Sequence, residues 1–258
     1  MTRLRWWGLA LGAVVAAGFL GLDPRELWPN TPGLLAEMVY AAVTPALVDE
    51  ATGTVPLLPV VGEAALMTVA IAAAAFGIAL LVAVPLGALA STRFSGGGAT
   101  WVVVRGLIAA MRSVHELLWA ILLLAALGLS TGSAVLALAI PSAGTLARVF
   151  GDLLDETPEN GSRALRSTGA SELQALVFGV VPRAMPNLIA YALYRFECAV
   201  RSSAVLGFFG FPTLGYGIAS SVDAVHFHET WTYLYALFAL VVGLERWSAG
   251  VRRRWVRT

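Results

Sequence analysis

Long apolar runs alternate with short charged segments along this chain. A helix needs about 20 apolar residues to cross a hydrocarbon core about 30 Å thick, because lipid offers the backbone no hydrogen-bond partner. By this criterion we predict six spans, at about residues 6–22, 62–90, 101–129, 133–150, 184–207 and 230–247. The pattern predicts an all-α membrane protein.

The region before the second span contains two further features. Arg3 and Arg5 precede an apolar stretch that fits a signal peptide or a membrane helix, and Trp6 and Trp7 favour a retained helix anchored at the interface. Thr31 as N-cap begins a predicted short helix on the outer membrane surface or against the bundle. Its apolar stripe comprises Leu34, Leu35, Met38, Val39, Ala42, Val43 and Leu47.

The distribution of arginine orients the bundle, because cytoplasmic loops retain positive charge. Ten arginines fall in four segments on one side, which are residues 1–5, 91–100, 151–183 and 248–258. Only Arg25 falls in the segments on the other side, which are residues 23–61, 130–132 and 208–229. We therefore expect both termini and the 151–183 loop to be cytoplasmic.

Composition supports a membrane protein and excludes some chemistry. The chain is 58% hydrophobic and 13% charged, with a mean hydropathy of +0.78. All 17 cationic residues are arginine, so the Gly-Lys-Ser/Thr of a phosphate-binding loop is missing and the chain has no standard ATP site of its own. Cys198 is the single cysteine, which rules out an intrachain disulfide and a thiolate metal cluster.

The cytoplasmic loop 151–183 is too long for a simple connection between neighbouring spans. Pro158 interrupts the helix that leaves the fourth span, Gly169 permits a tight bend, Ser171 can cap a second short helix, and Pro182 suits the entry to the fifth span. The loop is predicted to be a helix-turn-helix elbow with a small tip on which a soluble partner can push.

These loop residues resemble the shared loop of the inner-membrane permease subunits of ABC importers. Four residues stand at matching positions: Ala164, Gly169, Val181 and Pro182. Three depart from that pattern: Arg163, Leu165 and Gly179. Over roughly residues 60–220 the chain is similar to the phosphonate-type permeases, in "RSVHELLWA", "ALRSTGAS", "VVPRAMPNLIAYALYRFE" and "VRSSAVLG". It differs from the phosphonate-type pattern at His115 and in the Phe209–Gly215 loop. The sequence therefore leaves open a cargo other than phosphonate.

The resemblance implies a type I ABC importer (MetI-like) permease fold in the bacterial inner membrane. It implies a second permease copy or paralogue, an external substrate-binding protein, and cytoplasmic ATPase subunits that hold ATP and Mg, with no cofactor on this chain. It assigns ATPase coupling to Ala164, Leu165, Gly169, Ala170, Ser171 and Pro182. The chain divides into an N-terminal helix with the external segment (1–60), a permease core (61–248) and a basic tail (249–258).

Ionisable residues inside spans are costly and normally face the protein interior. Glu197 and Arg201 lie four residues apart near the middle of the fifth span, and Arg112 and Glu116 repeat that spacing in the third. Each pair is either a buried salt bridge between helices or part of the translocation path or gate. We add Gly210 and Gly215, in the divergent external loop, to the candidates for that path.

The last external loop and the basic tail carry the remaining polar clusters. His226 and His228 lie near Asp223 and Glu229, but their spacing matches no defined metal site, so docking of an external binding protein is favoured over a metal. The arginine-rich tail is read as an anchor to anionic lipid, with no nucleic-acid role.

Two other classes of function stay open from the sequence. A secondary transporter driven by an ion gradient often shows inverted repeats with broken helices, but no internal repeat is evident here. A membrane-embedded enzyme needs a clustered nucleophile, base or metal set, which the three histidines do not form. The ABC permease is the preferred prediction, with phosphonate or a related small oxyanion as cargo.

Overall fold

The computed structural model describes residues 31–50 and 52–255, so the predicted span at 6–22 lies outside the described residues. The regular structure of the described part is helical, apart from one isolated bridge between Val48 and Pro56. The α-helices are α1 Thr31–Val43, α2 Leu57–Ala90, α3 Thr92–Ser95, α4 Ala99–Ser113, α5 Glu116–Leu127, α6 Thr131–Glu156, α7 Asn160–Ser167, α8 Glu172–Gly179, α9 Val181–Val205, α10 Leu214–Asp223 and α11 Phe227–Trp255. The all-α prediction is confirmed.

The chain divides into two compact units, the first ending at Pro45 and the second beginning at Ala46. In the first unit, the predicted short helix is present as α1. Its apolar stripe is largely exposed, with Leu35 53% and Val39 66% accessible. Leu47 lies beyond the end of this helix, because α1 stops at Val43. Placement of α1 at the outer membrane surface stays a prediction.

Within the second unit, four stretches are long and apolar enough to cross a membrane. They are Leu57–Ala90, Thr131–Glu156, Val181–Asp223 and Phe227–Arg254. A fifth span arises only if α4 and α5 are counted together, across a bend of 84°. The described residues therefore hold four or five candidate spans. The long predicted helix at 101–129 is wrong as a single straight span.

The break between α4 and α5 has a local cause that hydropathy does not show. Val114 is extended, with φ −106° and ψ 130°. His115 then acts as N-cap of α5, because its side chain accepts a hydrogen bond from the backbone N–H of Leu117 at 3.3 Å. Glu116 adds an acidic side chain to the first turn, where the helix dipole favours negative charge.

Helices α2 and α6 run parallel and pack closely through small residues in their C-terminal halves. A Cβ on Gly87 would lie 2.8 Å from the Cβ of Phe150, and a Cβ on Gly151 would lie 3.1 Å from that of Ala90. Small residues let helix backbones approach, which is how membrane helices associate where lipid gives no hydrophobic advantage. This pair forms the centre of the bundle, against which α4, α5 and α9 pack.

Polar contacts tie the end of α2 to the end of α6. The Ser91 hydroxyl donates to Asp155, and the Arg93 guanidinium donates to the carbonyl of Thr157 at 2.6 Å. Arg105 forms an ion pair with Asp152 at 2.9 Å. Residues 91–98 and the elbow that follows Thr157 therefore lie at the same end of the bundle, as their assignment to one membrane side requires.

Candidate functional site

The predicted elbow is present as α7 and α8, joined by a turn at Gly169. That glycine has φ +90°, in the left-handed region that glycine adopts without a Cβ penalty. The backbone N–H of Ala170 donates to the carbonyl of Leu165 at 3.2 Å, which closes the end of α7. Ser171 caps α8 in a capping box with Gln174, as the sequence predicts for this serine.

Two glycines hold the base of the elbow together. A Cβ on Gly179 would lie 2.7 Å from the backbone nitrogen of Ser162, and one on Gly161 would lie 3.1 Å from the carbonyl oxygen of Gly179. The backbones of α7 and α8 therefore touch directly. This contact gives a physical reason for the glycine at position 179, which departs from the family pattern. Below it, Leu176, Val180 and Leu154 form a buried cluster that joins the elbow to α6 and α9.

The predicted coupling residues lie on the outside of the elbow. Ala164, Gly169 and Ser171 are exposed, and Leu165 and Ala170 are partly buried. Pro182 is exposed too, in the first turn of α9. Sequence reasoning missed the exposed apolar side chains on α8, among which Leu173 at 64% and Phe178 at 70% are the most exposed. Their signal was the presence of large apolar residues in a short helix of a loop assigned to the cytoplasm.

Glu197 and Arg201 share a face of α9 but do not pair with each other. Arg201 pairs with Glu245 at 2.8 Å, and Glu197 pairs with Arg252 at 3.2 Å. Both partners lie on α11, which runs antiparallel to α9. Spacing along one helix shows which residues share a face, but it does not show what a neighbouring helix presents to that face. These charges join two helices, as the salt-bridge interpretation allowed.

Arg112 and Glu116 do not share a helix face, because the break at Val114 separates them. Glu116 lies in the first turn of α5 and accepts a hydrogen bond from the Ser202 hydroxyl of α9. Arg112 lies in the last turn of α4, with its aliphatic stem against Gly144 of α6. The same-face pairing predicted for these two residues is therefore also wrong.

Arg195 lies inside the bundle and was missed by the sequence reasoning. Its Nη2 lies 3.4 Å from the Ser142 hydroxyl of α6, and its Nε is buried without a hydrogen-bond partner among the described residues. The available signal was an arginine in the middle of a predicted span. The sequence reasoning considered Glu197 and Arg201 instead, because their spacing of four residues places them on one helix face.

Gly215 has a structural role in the loop 208–229, which the arginine distribution predicts to be external. A Cβ on Gly215 would lie 1.8 Å from the carbonyl oxygen of Ala204, and one on Gly207 would lie 2.1 Å from the Tyr216 nitrogen. The chain after α9 thus folds back onto itself with backbone against backbone. Gly210 has φ +91°, and the Leu129 side chain lies 3.6 Å from where its Cβ would stand.

Buried hydrogen bonds fix this folded-back loop to α2. The backbone N–H of Leu214 donates to the Thr68 hydroxyl at 3.0 Å, and the Thr68 hydroxyl donates to the Ala64 carbonyl at 2.7 Å. The Ser203 hydroxyl donates to the Thr68 carbonyl at 2.8 Å. Thr68 therefore connects three elements: α2, α9 and the start of α10. A cavity of about 220 Å³ opens beside it, lined in part by Glu63 and Tyr216.

The histidine-rich loop is braced by one buried carboxylate. Glu229 accepts hydrogen bonds from the backbone N–H of Glu50 and from the Ser221 hydroxyl, and lies 3.9 Å from the Nδ1 of His226. The carbonyl of His228 accepts a hydrogen bond from the Ala46 N–H at 3.1 Å. Within residues 31–50 and 52–255, no group of three or more His, Cys, Asp or Glu side chains is placed to hold a metal ion.

Comparison with known proteins identifies similar sequences and folds. Residues 83–244 match the family described as binding-protein-dependent transport system inner membrane component. The chain is 35% identical over 193 residues to the phosphate-import permease protein PhnE of Mycolicibacterium smegmatis (strain ATCC 700084 / mc(2)155), covering 75% of this chain and 36% of that protein. The match therefore spans only about a third of that relative's length.

A second relative and a solved structure extend the comparison. The phosphite transport system permease protein PtxC of Stutzerimonas stutzeri is 27% identical over 258 residues, covering 97% of this chain and 90% of that protein. An inward-facing structure of the MetNI methionine ABC transporter matches with a TM-score of 0.68 at 19% identity, covering 77% of this chain and 97% of the matched chain. At that identity the structural match shows the fold alone.

Proposed function

Because this chain belongs to the family of binding-protein-dependent transport system inner membrane components, we propose that it is the permease subunit of an ATP-driven importer for phosphonate or a related small phosphorus oxyanion. The proposed substrate class rests on the relatives named for phosphate and phosphite, together with the phosphonate-type motifs in the sequence. The chain performs no bond chemistry, since ATP and Mg are held by a partner ATPase.

The observation that carries this proposal is the elbow. It projects an exposed turn at Gly169, while its base at Leu176 and Val180 is buried against the ends of α6 and α9. A force applied to the turn therefore reaches two long spans through a packed contact. In our proposal, closure of the ATPase pair moves the elbows of two permease subunits together, and the spans rotate as rigid helices to switch the cavity between its two openings.

The proposal also covers the location of the protein and its partners in the transporter. We place the protein in the bacterial inner membrane, with the elbow and both termini of the sequence on the cytoplasmic side. A second permease, identical or closely related, completes the pathway. The loop held by Glu229 faces outside, where it meets the binding protein that delivers the cargo. The coupling contact comprises the six predicted residues, with Leu173 and Phe178 added.

A substitution at Gly169 tests whether the elbow is the contact with the ATPase. Gly169→Asn keeps a residue that tolerates the left-handed conformation and adds a side chain where a Cβ meets nothing within 4 Å. Gly96→Asn is the matched control, because Gly96 has φ +69° and equally open surroundings at the same end of the bundle. Both variants are expected to insert in the membrane. Gly169→Asn should lose bound ATPase or ATP-coupled uptake, and the control should keep both.

Uptake by right-side-out vesicles loaded with ATP, with the binding protein outside, separates the proposal from an ion-gradient transporter. We expect uptake of methylphosphonate or phosphate to require ATP and the partner ATPase, and to survive a protonophore that collapses the proton gradient. Uptake that stops with the protonophore and ignores ATP contradicts the proposal. Normal coupling in the Gly169→Asn protein would show that the ATPase contacts another surface.

A further inference from the structure

One side of α9 is left partly uncovered by the other described helices and carries polar side chains. Its members are spaced alternately by four and three residues, which places them on one side of a helix: Asn187, Tyr191, Tyr194, Cys198 and Arg201. Tyr194 is 49% exposed, and its ring centroid lies 6.1 Å from that of Tyr191. We call this set of five residues the polar stripe.

Contacts with two neighbouring helices mark the borders of the polar stripe. Arg201 and Ser202 are successive residues, so their side chains point about 100° apart around the helix axis. The Ser202 hydroxyl donates to Glu116 of α5, and Arg201 pairs with Glu245 of α11 at 2.8 Å. The other members of the polar stripe fall between these two directions. The stripe therefore opens between α5 and α11.

The pair of Arg201 and Glu245 lies at the depth of the middle of α2. Each residue directly follows a member of one packed cluster, which joins Val200 and Leu244 to Ala72. Ala72 is near the middle of α2, and residues 64–90 of that helix include no charged side chain. The ion pair is therefore within the membrane by depth, although its side chains are 50% and 48% exposed.

The exposed side of α2 has a different composition from the polar stripe. After Glu63, the exposed residues of α2 carry no polar side chain, and Leu66, Leu81 and Val84 are among them. Lipid favours such a surface, because charged groups in hydrocarbon are costly and normally face the protein interior or water. A half-exposed ion pair with two tyrosines at the same depth does not have the composition of a lipid-facing surface.

A dry contact with a partner helix is also unfavourable at this ion pair. Two half-exposed charges keep part of their hydration, and close packing would remove that water. The desolvation cost of an ion pair can exceed the attraction between its charges. A water-filled path keeps Arg201 and Glu245 hydrated, and a cavity of about 390 Å³ already opens beside them between α9, α10 and α11.

We propose that the polar stripe is a wall of the water-filled translocation path, with the corresponding stripe of the second permease subunit opposite. This inference rests on the proposed function, which supplies the second subunit and an anionic cargo. The Arg201 guanidinium meets the hydrated anion on its way, while Glu245 balances its charge. The wall therefore attracts the anion too weakly to hold it, as transport through a path requires.

Cys198 allows a direct test, because it is the single cysteine of the chain and belongs to the polar stripe. The complete transporter in lipid nanodiscs is treated with a cationic, membrane-impermeant methanethiosulfonate, and modification of this chain is followed by mass spectrometry. The matched control is Cys198→Ala/Leu81→Cys, since Leu81 is 77% exposed on the apolar side of α2. Cys198 should react about tenfold faster or more, because a charged reagent does not enter hydrocarbon.

A second reporter covers the partial burial of Cys198. The variant Cys198→Ala/Tyr194→Cys places the thiol at the half-exposed position of Tyr194, and it should react at least as fast as Cys198. Slow reaction of both reporters, at the rate of the Leu81→Cys control, would show that lipid or a dry contact covers the polar stripe. Oxidative cross-linking of two subunits through Tyr194→Cys without reaction towards the reagent would assign the stripe to direct subunit packing. Either result overturns the proposed wall.

Transport shows whether the water at the polar stripe belongs to the path. ATP-driven uptake of methylphosphonate into liposomes is compared for each protein before and after modification. Attachment of the reagent at Cys198 should lower uptake about tenfold or more, since it narrows the path and adds a fixed charge. Leu81→Cys modified with a lipid-soluble maleimide should keep its uptake within about twofold. Full uptake by the protein modified at Cys198 contradicts the wall.

The two proposals fail in different ways. Wild-type uptake that ignores ATP overturns the proposed function, whereas the rates of thiol modification still decide whether the polar stripe faces water. ATP-dependent uptake together with unreactive reporters overturns the wall and leaves the proposed function intact.

Discussion

Arg201 forms its ion pair with Glu245 of the last helix, and Glu197, one turn earlier on the same face, pairs with Arg252. These two contacts join antiparallel helices α9 and α11, yet they differ in burial. The side chains of Arg201 and Glu245 are 50% and 48% exposed, whereas that of Glu197 is only 6% exposed. The two pairs therefore make different energetic predictions.

We expect Arg252→Ala to destabilise the protein far more than Arg201→Ala. Removing Arg252 leaves the Glu197 carboxylate buried without a partner, which typically costs about 3–5 kcal/mol. Removing Arg201 breaks a half-exposed pair, which contributes at most about 1 kcal/mol. Thermal unfolding of both variants in the same detergent measures the difference. The charge-free double variant Glu197→Gln/Arg252→Ala should recover part of the loss, and equal midpoints for the two single variants would refute this account.

Apolar run length and turn chemistry predicted much of this fold. The described long helices α2, α6, α9 and α11 fall at the predicted spans, because a lipid-crossing helix must be apolar over a fixed length. The elbow was predictable from Gly169 and Ser171, because a left-handed turn and an N-cap have strong residue preferences.

Three features could not be predicted, each for a tertiary reason. The break at Val114 has neither Gly nor Pro near it, since residues 107–127 contain none, and hydropathy averaged over a span treats the two helices as one. The partners of Glu197 and Arg201 come from a helix more than 40 residues later, which a local spacing rule does not consider. The role of Arg195 depends on the helix that it meets. Glycine at position 215 signalled a close approach, but only the fold shows that the approach is to Ala204.

Gly215→Ala is expected to disrupt the loop 208–229, while Gly77→Ala is expected to be tolerated. A methyl group on Gly215 would lie 1.8 Å from the carbonyl oxygen of Ala204, and both sides of that contact are backbone, so α10 must move away from α9. Gly77 lies within α2, and a Cβ there meets nothing within 4 Å. We expect Gly215→Ala to abolish uptake and to lower the unfolding temperature.

The matched variant decides how that result is interpreted. Gly77→Ala should fold at least as well as wild type, because alanine is favoured over glycine within a helix by about 1 kcal/mol. Retention of wild-type uptake and stability by Gly215→Ala would show that the loop does not pack backbone against backbone. An equal defect in both variants would point to intolerance of alanine in these helices generally.

Thr68 supplies the last prediction, because its hydroxyl is the acceptor for a buried backbone N–H of Leu214. Thr68→Val keeps the shape of the side chain but leaves that N–H without a partner, which costs about 1–3 kcal/mol. Thr68→Ser keeps the hydroxyl and removes only a methyl group, so its cost should be clearly smaller. Thermal unfolding checks the order wild type, serine, valine. Since the Leu214 bond anchors the start of α10 to α2, limited proteolysis of the valine variant should show earlier cleavage between α9 and α10. A valine variant as stable as the serine variant would mean that the hydroxyl of Thr68 does not hold this loop.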